Sequence, residues 1–375
     1  MTVDRKSLTA NPLVRLGELG QSPWYDYITR DLVTTGELVR LIAEDGLRGM
    51  TSNPTIFEKA IAGSRLYDAE IRAHSDAGRS ARQIFEHLAV ADVRAACDAF
   101  AGVYQASGGG DGLVSLEVSP ALANDTDGTI QEAERLWAAV DRPNAMIKIP
   151  GTREGLPAIT RSIAAGINVN VTLLFSVERY GEVIEAFLAG LEQRHAAGHS
   201  IRAVASVASF FVSRVDGKVD PLLDRLGDPQ GLRGRIAIAN ACAAYHLFEW
   251  SLGTPRWDLL AKAGGRPQRP LWASTSTKDP HYPDVHYVEA LVAPRTVNTL
   301  PPETFAAYRD HGRPAVRIHE GMAAAPAQLK ALADLGVDLP AITRELEVDG
   351  VAKFAASYAS LLAGIDAKAD ALVGR

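Results

Sequence analysis

One lysine stands in a stretch of sequence where a charge is out of place. Lys148 lies within Asn144-Ala-Met-Ile-Lys-Ile-Pro150, a short apolar run that is typical of a buried strand. Burying an ammonium group without a partner costs several kcal/mol, so such a lysine either finds a carboxylate or loses its proton. An uncharged amine that faces a cavity is a nucleophile for carbonyl groups. The alternative is a lysine at a strand end whose ammonium group reaches solvent.

Polar side chains also recur at alternate positions of several other β-rich runs. Because side chains alternate along a strand, one set would line a barrel interior while the other meets the surrounding helices. The set that we place inside consists of Asp26, Ser115, Glu117, Ser119, Met146, Lys148, Asn168, Asn170, Thr172, Ser209, Ser274 and Ser276. Branched apolar residues normally fill such an interior, so this set indicates either a buried polar network or a catalytic mouth. One lysine, two acids and several amides and hydroxyls together favour the catalytic mouth.

The elements that must position these residues alternate regularly along the chain from residue 22 onward. The predicted strands are Trp24–Ile28, Leu47–Ser52, Leu113–Ser119, Ala145–Ile149, Ile167–Phe175, Ala203–Val212, Leu271–Ser276 and Tyr287–Val292. The predicted helices include Thr35–Asp45, Arg82–Tyr104, Thr129–Val140, Ser176–His195 and Arg233–Trp250. The alternation predicts an α/β fold, a (β/α)8 TIM barrel, although an open doubly wound sheet would share the pattern.

We expect a single domain over residues 1–375, since a barrel of this kind can occupy a chain of this length. The barrel would span about residues 22–300, and a C-terminal helical extension would span about residues 301–375. The last helices are predicted at Pro326–Leu335 and Pro340–Leu362, where they would cap or flank the barrel.

The composition is that of a globular protein, with 47% hydrophobic and 22% charged residues. A net charge of -6 gives no basic surface for nucleic acid or for anionic membranes. The segment Met1 to Gly20 lacks the apolar core of a signal peptide, and no apolar run reaches the roughly 18 residues of a membrane span. We therefore expect a cytoplasmic protein, with Cys97 and Cys242 as buried thiols.

Eight short segments carry a resemblance to a known family, in order and over most of the chain. They are Trp24-Tyr-Asp26, Thr51-Ser-Asn-Pro-Thr-Ile-Phe57, Val114-Ser-Leu-Glu-Val118, Ile147-Lys-Ile-Pro-Gly-Thr152, Gly166-Ile-Asn-Val-Asn-Val-Thr-Leu-Leu-Phe175, Ser209-Phe-Phe-Val-Ser-Arg214, Leu271-Trp-Ala-Ser-Thr275 and Thr296-Val-Asn-Thr299. Together these segments resemble the transaldolase family, in its longer bacterial type. The resemblance implies an enzyme of the pentose phosphate pathway that uses a lysine Schiff base and no cofactor or metal.

The implied reaction transfers a dihydroxyacetone unit from a ketose phosphate to an aldose phosphate. The donor would be sedoheptulose 7-phosphate or fructose 6-phosphate, and the acceptor glyceraldehyde 3-phosphate or erythrose 4-phosphate. By resemblance, Lys148 forms the Schiff base and Asp26 handles the proton of the C4 hydroxyl. Glu117 would act through a water molecule near the lysine, and Thr172 would hold that water.

The resemblance also implies residues that bind the substrate. Those assigned to the dihydroxyacetone unit and its surroundings are Thr51, Asn53, Asn170 and Ser209, and those assigned to phosphate are Arg214 and Ser274. Many relatives carry an arginine two residues after that serine. This chain has Ser276 there, and we expect Lys278 to supply the second phosphate cation instead.

Several alternatives remain beside this interpretation. An aldolase would release free dihydroxyacetone, and a non-catalytic barrel would only bind sugar phosphates. A zinc site is disfavoured, because His195 and His199 follow a helix end without the glutamate of a zinc-protease motif. A monomer and a homodimer are both compatible with the sequence.

Overall fold

Eight parallel strands close into a barrel in the computed structural model, which describes residues 11–373. The strands pair in sequence order, and the eighth pairs with the first. They are β1 Gln21–Asp26, β2 Gly49–Thr51, β3 Leu113–Glu117, β4 Ala145–Pro150, β5 Val169–Leu174, β6 Ser206–Phe211, β7 Arg269–Ala273 and β8 Thr296–Leu300. The predicted (β/α)8 barrel with additional C-terminal helices is confirmed, and the alternative prediction of an open doubly wound sheet is wrong.

Helices precede, connect and follow the strands. Those in the first half of the chain are α1 Pro12–Glu18, α2 Arg30–Thr34, α3 Glu37–Glu44, α4 Pro54–Ala62, α5 Asp68–Asp76, α6 Ala81–Ala99, α7 Ala101–Ala106 and α8 Thr126–Val140, with a 3-10 turn at Pro120–Leu122. Those in the second half are α9 Gly155–Ala165, α10 Val177–Ala196, α11 Ser213–Leu226, α12 Ile236–Leu252, α13 Pro255–Lys262, α14 His286–Ala290, α15 Pro302–His311, α16 Ile318–Asp334 and α17 Leu339–Val373. Within residues 11–373, no helix has the length and hydrophobicity to cross a membrane.

The prediction of the eighth strand was wrong. Tyr287–Val292 forms the short helix α14 and the turn after it, and β8 begins at Thr296. Four apolar side chains of this run, Tyr287, Val288, Leu291 and Val292, are buried, as a barrel strand would require. A short apolar run has no periodicity that distinguishes a buried strand from a buried helix, so the pattern alone misled.

Two helix predictions also differ from the structure. The stretch Arg82–Tyr104 is divided between α6 and α7, with a break at Phe100. Pro326 lies inside α16 instead of opening it. Proline disfavours a helix interior, and here the burial of Ala325 and Leu332 outweighs that local cost.

The barrel interior is polar near the carboxyl ends of the strands. The register of β3, β4 and β5 sets Glu117 beside Lys148 and Lys148 beside Asn170, so these three side chains form one row. Beyond them β5 loses its regular register, and Leu173 adopts a positive φ of 62°. Cys97 and Cys242 are buried free thiols, as predicted.

Candidate active site

A cavity of about 560 Å³ opens at the carboxyl ends of the strands. In a (β/α)8 barrel this face carries the chemistry, because the ends of several strands and their loops meet there. The predicted site residues that line the cavity are Asp26, Thr51, Asn53, Lys148, Thr172, Ser209, Arg214, Ser274 and Lys278. Glu117 and Asn170 lie behind this wall, in contact with residues that form it. The structure therefore brings the predicted residues together, although these two do not line the cavity.

Lys148 lies on β4, a strand whose residues are all buried. Its side chain is about 6% exposed. The alternative interpretation, a lysine whose ammonium group reaches solvent, is therefore wrong. The amine Nζ donates a hydrogen bond of 2.8 Å to the backbone oxygen of Ser52. Glu117 Oε2 lies 3.5 Å from the same nitrogen. The amine is thus held in a fixed position at the cavity wall.

Glu117 is closer to the lysine than the sequence interpretation expected. Its Oε2 atom is buried and accepts no hydrogen bond within the described residues, despite its 3.5 Å distance from Lys148 Nζ. Burial raises the pKa of the Glu117 carboxyl, and the charge of Lys148 opposes that rise. The Oγ1 atom of Thr172 is likewise buried without a partner among these residues. Buried polar atoms are rarely left unpaired, which marks both atoms as sites for water or substrate.

Asp26 ends β1 on the other side of the cavity. Its Oδ1 atom accepts a hydrogen bond of 2.6 Å from Thr51 Oγ1, which also lies 3.0 Å from Thr299 Oγ1. Burial raises the pKa of Asp26, and the Thr51 hydrogen bond and the charges of Lys148 and Arg214 partly counter this rise. The site therefore contains two acids with raised pKa values in different surroundings, the arrangement that allows acids to divide proton-transfer tasks.

A chain of hydrogen bonds fixes the amide and hydroxyl groups near the lysine. Ser209 donates a 2.6 Å hydrogen bond to Asn170 Oδ1, and Asn170 Nδ2 donates a 3.0 Å hydrogen bond to Ser115 Oγ. Asn170 is fully buried and contacts the cavity wall through its hydrogen bond with Ser209. At the start of α4, Asn53 Oδ1 accepts a hydrogen bond from the Ile56 amide, which leaves the Asn53 amide group for a ligand.

Three basic residues besides Lys148 line the cavity. Arg214, in the first turn of α11, has its guanidinium carbon 4.9 Å from the centre of the Phe211 ring, and burial lowers its pKa. Lys278 lies in the loop after β7, where it is exposed. Lys59, in the last turn of α4, was missed by sequence reasoning. Its position in the sequence could have indicated it. Lys59 follows Ile56 by three residues on the helix that begins after Asn53, and residues at this spacing lie on the same face of a helix.

Other residues of the cavity wall also escaped the sequence analysis. They include Tyr27, Phe211, Thr299, Glu303 and Phe354. Thr299 lies in the segment Thr296-Val-Asn-Thr299, to which the sequence analysis assigned no site role. Phe354 lies on α17, more than two hundred residues after Lys148, and no local sequence signal connects it to the barrel mouth.

A group of side chains that could hold a metal ion lies outside this cavity. It consists of Glu70 and His74 on α5 and His87 on α6, whose ligand atoms lie within 4.8 Å of one another. Arg30 already forms an ion pair with Glu70, so a cation would have to compete with a guanidinium group for this carboxylate.

Comparison with known proteins assigns the family. The family model described as Transaldolase/Fructose-6-phosphate aldolase matches residues 23–365. A transaldolase of Frankia alni is 50% identical, over 95% of this chain and 97% of that protein. Transaldolase 1 of Streptomyces coelicolor is 48% identical over 99% and 98%, and transaldolase 2 of Nostoc sp. is 47% identical over 96% and 98%. The chain therefore belongs to the transaldolase/fructose-6-phosphate aldolase family, and it is an enzyme of the transferase class with transaldolase function.

Proposed function

We propose that this enzyme transfers a dihydroxyacetone unit between sugar phosphates through a Schiff base on Lys148. The donor is sedoheptulose 7-phosphate or fructose 6-phosphate, and the acceptor is glyceraldehyde 3-phosphate or erythrose 4-phosphate. The observation that carries the proposal is the position of Lys148 Nζ, at the cavity wall between the Ser52 carbonyl and the Glu117 carboxyl. Neither binding alone nor a structural role requires a buried amine at the mouth of a cavity.

The first step joins the substrate to the enzyme. Lys148 Nζ attacks the ketone carbon, and the resulting carbinolamine loses water to give the imine. Glu117, whose pKa is raised by burial, takes up the proton that the amine releases and returns it to the departing hydroxyl group. A water molecule held by Thr172 Oγ1 carries that proton between Glu117 and the substrate.

The second step breaks the carbon–carbon bond. Asp26 removes the proton of the C4 hydroxyl, the bond between C3 and C4 breaks, and its electron pair moves into the protonated imine to form an enamine. The aldose product then leaves. The hydrogen bond from Thr51 fixes the orientation of the Asp26 carboxylate for this task.

The enamine must stay in place until the acceptor arrives. Because Ser209 donates its proton to Asn170, its oxygen is free to accept a hydrogen bond from a substrate hydroxyl. Asn170 thus positions Ser209, whereas the amide group of Asn53 contacts the substrate directly. The same groups hold the unit while it attacks the aldehyde carbon of the acceptor, the reverse of the cleavage step.

The phosphate group of either sugar binds at the basic end of the cavity. Arg214 offers a planar pair of donors, and Ser274 adds a hydroxyl group beside it. We assign the remaining positive charge to Lys278 together with Lys59, which compensate for Ser276. Such phosphorylated substrates cannot readily cross a membrane, so we place the reaction in the cytoplasm, within the pentose phosphate pathway.

Borohydride reduction tests the proposal directly. The protein is incubated with fructose 6-phosphate, reduced, digested and analysed by mass spectrometry. We expect a mass increase that corresponds to a reduced dihydroxyacetone adduct at Lys148 and at no other lysine, including Lys59 and Lys278. Turnover without any adduct at Lys148 would refute the Schiff base. Accumulation of free dihydroxyacetone at the rate of donor cleavage, with an acceptor present, would instead favour the aldolase alternative.

A further inference from the structure

The last helix of the chain is fastened across the mouth of the barrel. Helix α17 forms polar contacts with α4 and α11, which line the cavity, and with α5 and α10. These contacts are Thr55 with Ser357 at 2.9 Å, Asp68 with Lys368 at 2.8 Å, Arg179 with Glu347 at 3.3 Å and Lys218 with Asp349 at 3.1 Å. Anchors on four separate helices fix the position of α17 over the site.

A glycine brings this helix close to the end of β5. A Cβ atom at Gly350 would lie 3.0 Å from Leu173 Cδ2, tighter than normal packing. Leu173 has its positive φ at this point, and it directly follows Thr172 of the cavity wall. Gly350 therefore allows an approach that a larger residue would disturb.

Phe354 follows Gly350 by one helical turn and lies over the reactive groups. Its side chain is buried, and it forms part of the cavity wall. The centre of its ring is 5.9 Å from Lys148 Nζ and 6.0 Å from the guanidinium carbon of Arg214. One turn further, Tyr358 packs against Phe85, and both border the small cavities beside Glu117. Two aromatic residues of one helix thus cover the lysine and its carboxyl neighbour.

We propose that Phe354 determines whether the dihydroxyacetone unit is transferred or released, because its ring keeps solvent water, other than the one molecule held by Thr172, away from the Lys148 adduct. This inference rests on the proposed function.

Hydrolysis begins when the enamine carbon takes a proton from solvent and the imine re-forms. Water then adds to the imine carbon, a carbon–oxygen bond forms and the carbon–nitrogen bond breaks. Free dihydroxyacetone and the lysine amine result, with one water molecule consumed. In transfer, the enamine carbon attacks the acceptor aldehyde instead.

The test measures the ratio of dihydroxyacetone released to acceptor converted, with fructose 6-phosphate and erythrose 4-phosphate as substrates. In the full-length Phe354→Ala variant we expect this ratio to rise by about tenfold or more, because water gains access to the adduct. Phe354→Leu retains most of the apolar volume but leaves part of the ring's space open, and should raise the ratio by about twofold to threefold. Gly350→Ala should raise it to a smaller extent, because the added methyl group would lie 3.0 Å from Leu173 Cδ2 and the two groups must move apart by a few tenths of an ångström. Ser360→Ala, on the same helix but hydrogen-bonded to Glu58, is the control that leaves the ratio unchanged.

Borohydride trapping of each variant separates this inference from the proposed function. A reduced adduct at Lys148 together with an increased ratio in Phe354→Ala supports both. An adduct together with an unchanged ratio in Phe354→Ala overturns the role of Phe354 and leaves the Schiff base intact. If Phe354→Ala does not fold, an unchanged ratio in both Phe354→Leu and Gly350→Ala overturns it equally. No adduct in the wild-type protein would refute the proposed function itself.

Discussion

Lys148 Nζ lies 3.5 Å from Glu117 Oε2, and the parallel register of β3 and β4 sets the two residues directly side by side. Only about 6% of each side chain is exposed, so water contributes little to the solvation of either charge. Such a buried pair is costly to form and is weak evidence for stability. A carboxyl with a raised pKa beside an amine is, however, well placed to take up the proton that the amine must lose before it attacks a ketone.

Glu117→Gln should therefore slow the formation of the Schiff base. The amide has nearly the same shape as the acid but cannot take up a proton, and loss of a general acid–base group typically costs about a hundredfold or more. The measurement is the rate at which the borohydride-reduced adduct appears at Lys148. Lys148→Met should give no adduct, and Glu58→Gln, whose carboxyl accepts a hydrogen bond from Ser360 of α17, serves as the control. An undiminished rate in Glu117→Gln would assign the proton transfer to another group.

Thr51→Val should shift the pH dependence of carbon–carbon bond cleavage. The Thr51 hydrogen bond lowers the pKa of Asp26 against the effect of burial, so its removal should raise that pKa further. Because Asp26 must be ionised to act as the proposed base, the acidic limb of the kcat profile should move toward higher pH.

Thr299→Val is the matched control for this shift, since Thr299 contacts Thr51 and forms no hydrogen bond with Asp26 among the described side chains. In Asp26→Ala the adduct should form while turnover falls by at least about a hundredfold. An acidic limb that stays in place in Thr51→Val, or an absent adduct in Asp26→Ala, would contradict the role of Asp26 as the base that follows imine formation.

The sequence was sufficient to predict the positions of those candidate residues that lie within strands or directly after them. Lys148 was recognisable because a charge interrupts an apolar run, and alternation along the strand placed Glu117 and Thr172 on the inner face. Asn170 shows the limit of this reasoning, because alternation predicts the face of the sheet but not the depth below the cavity. Its side chain is fully buried and hydrogen-bonded to Ser209 of the cavity wall.

Local sequence patterns could not predict contacts between distant parts of the chain. Phe354 is brought to Lys148 by the packing of α17 on four other helices, and helix periodicity predicts only that one face of α17 is buried. The misplaced eighth strand has a related cause. Tyr287 and Val288 are buried because α14 packs against the rest of the protein, and burial alone does not specify secondary structure.

Loss of Lys59 or Lys278 should weaken binding of phosphorylated sugars specifically. We expect Lys59→Met and Lys278→Met each to raise the KM for glyceraldehyde 3-phosphate by about tenfold, with little change in kcat, because uniform binding is lost. The KM for unphosphorylated glyceraldehyde should not change. Lys330→Met, which removes an exposed lysine paired with Asp334, is the matched control. Equal losses for the two aldehydes would show that these lysines do not bind the phosphate group.

Two neighbouring acids on α11, Asp216 and Asp220, predict that stability falls as the pH rises. Burial and the neighbouring Asp220 raise the pKa of Asp216 to about 7, while its oxygens accept hydrogen bonds from the Ala237 amide and the Tyr287 hydroxyl. The folded state therefore retains a proton that the unfolded chain has released above its ordinary pKa of 3.8. The resulting stabilisation is complete below that value and is lost as the pH rises through about 7.

Asp216→Asn should remove this dependence, because the amide oxygen can still accept the Ala237 hydrogen bond and the side chain cannot ionise. Between pH 5 and pH 8 the free energy of unfolding should fall more in the wild-type protein than in the variant, by up to a few kcal/mol. This follows because each unit of pKa shift corresponds to about 1.4 kcal/mol. Urea unfolding at several pH values provides the measurement, and Asp258→Asn on α13 is the control for an acid outside the cluster. Parallel pH profiles for the wild type and Asp216→Asn would mean that Asp216 is ionised throughout this range, stabilised by Arg233 and its hydrogen-bond donors.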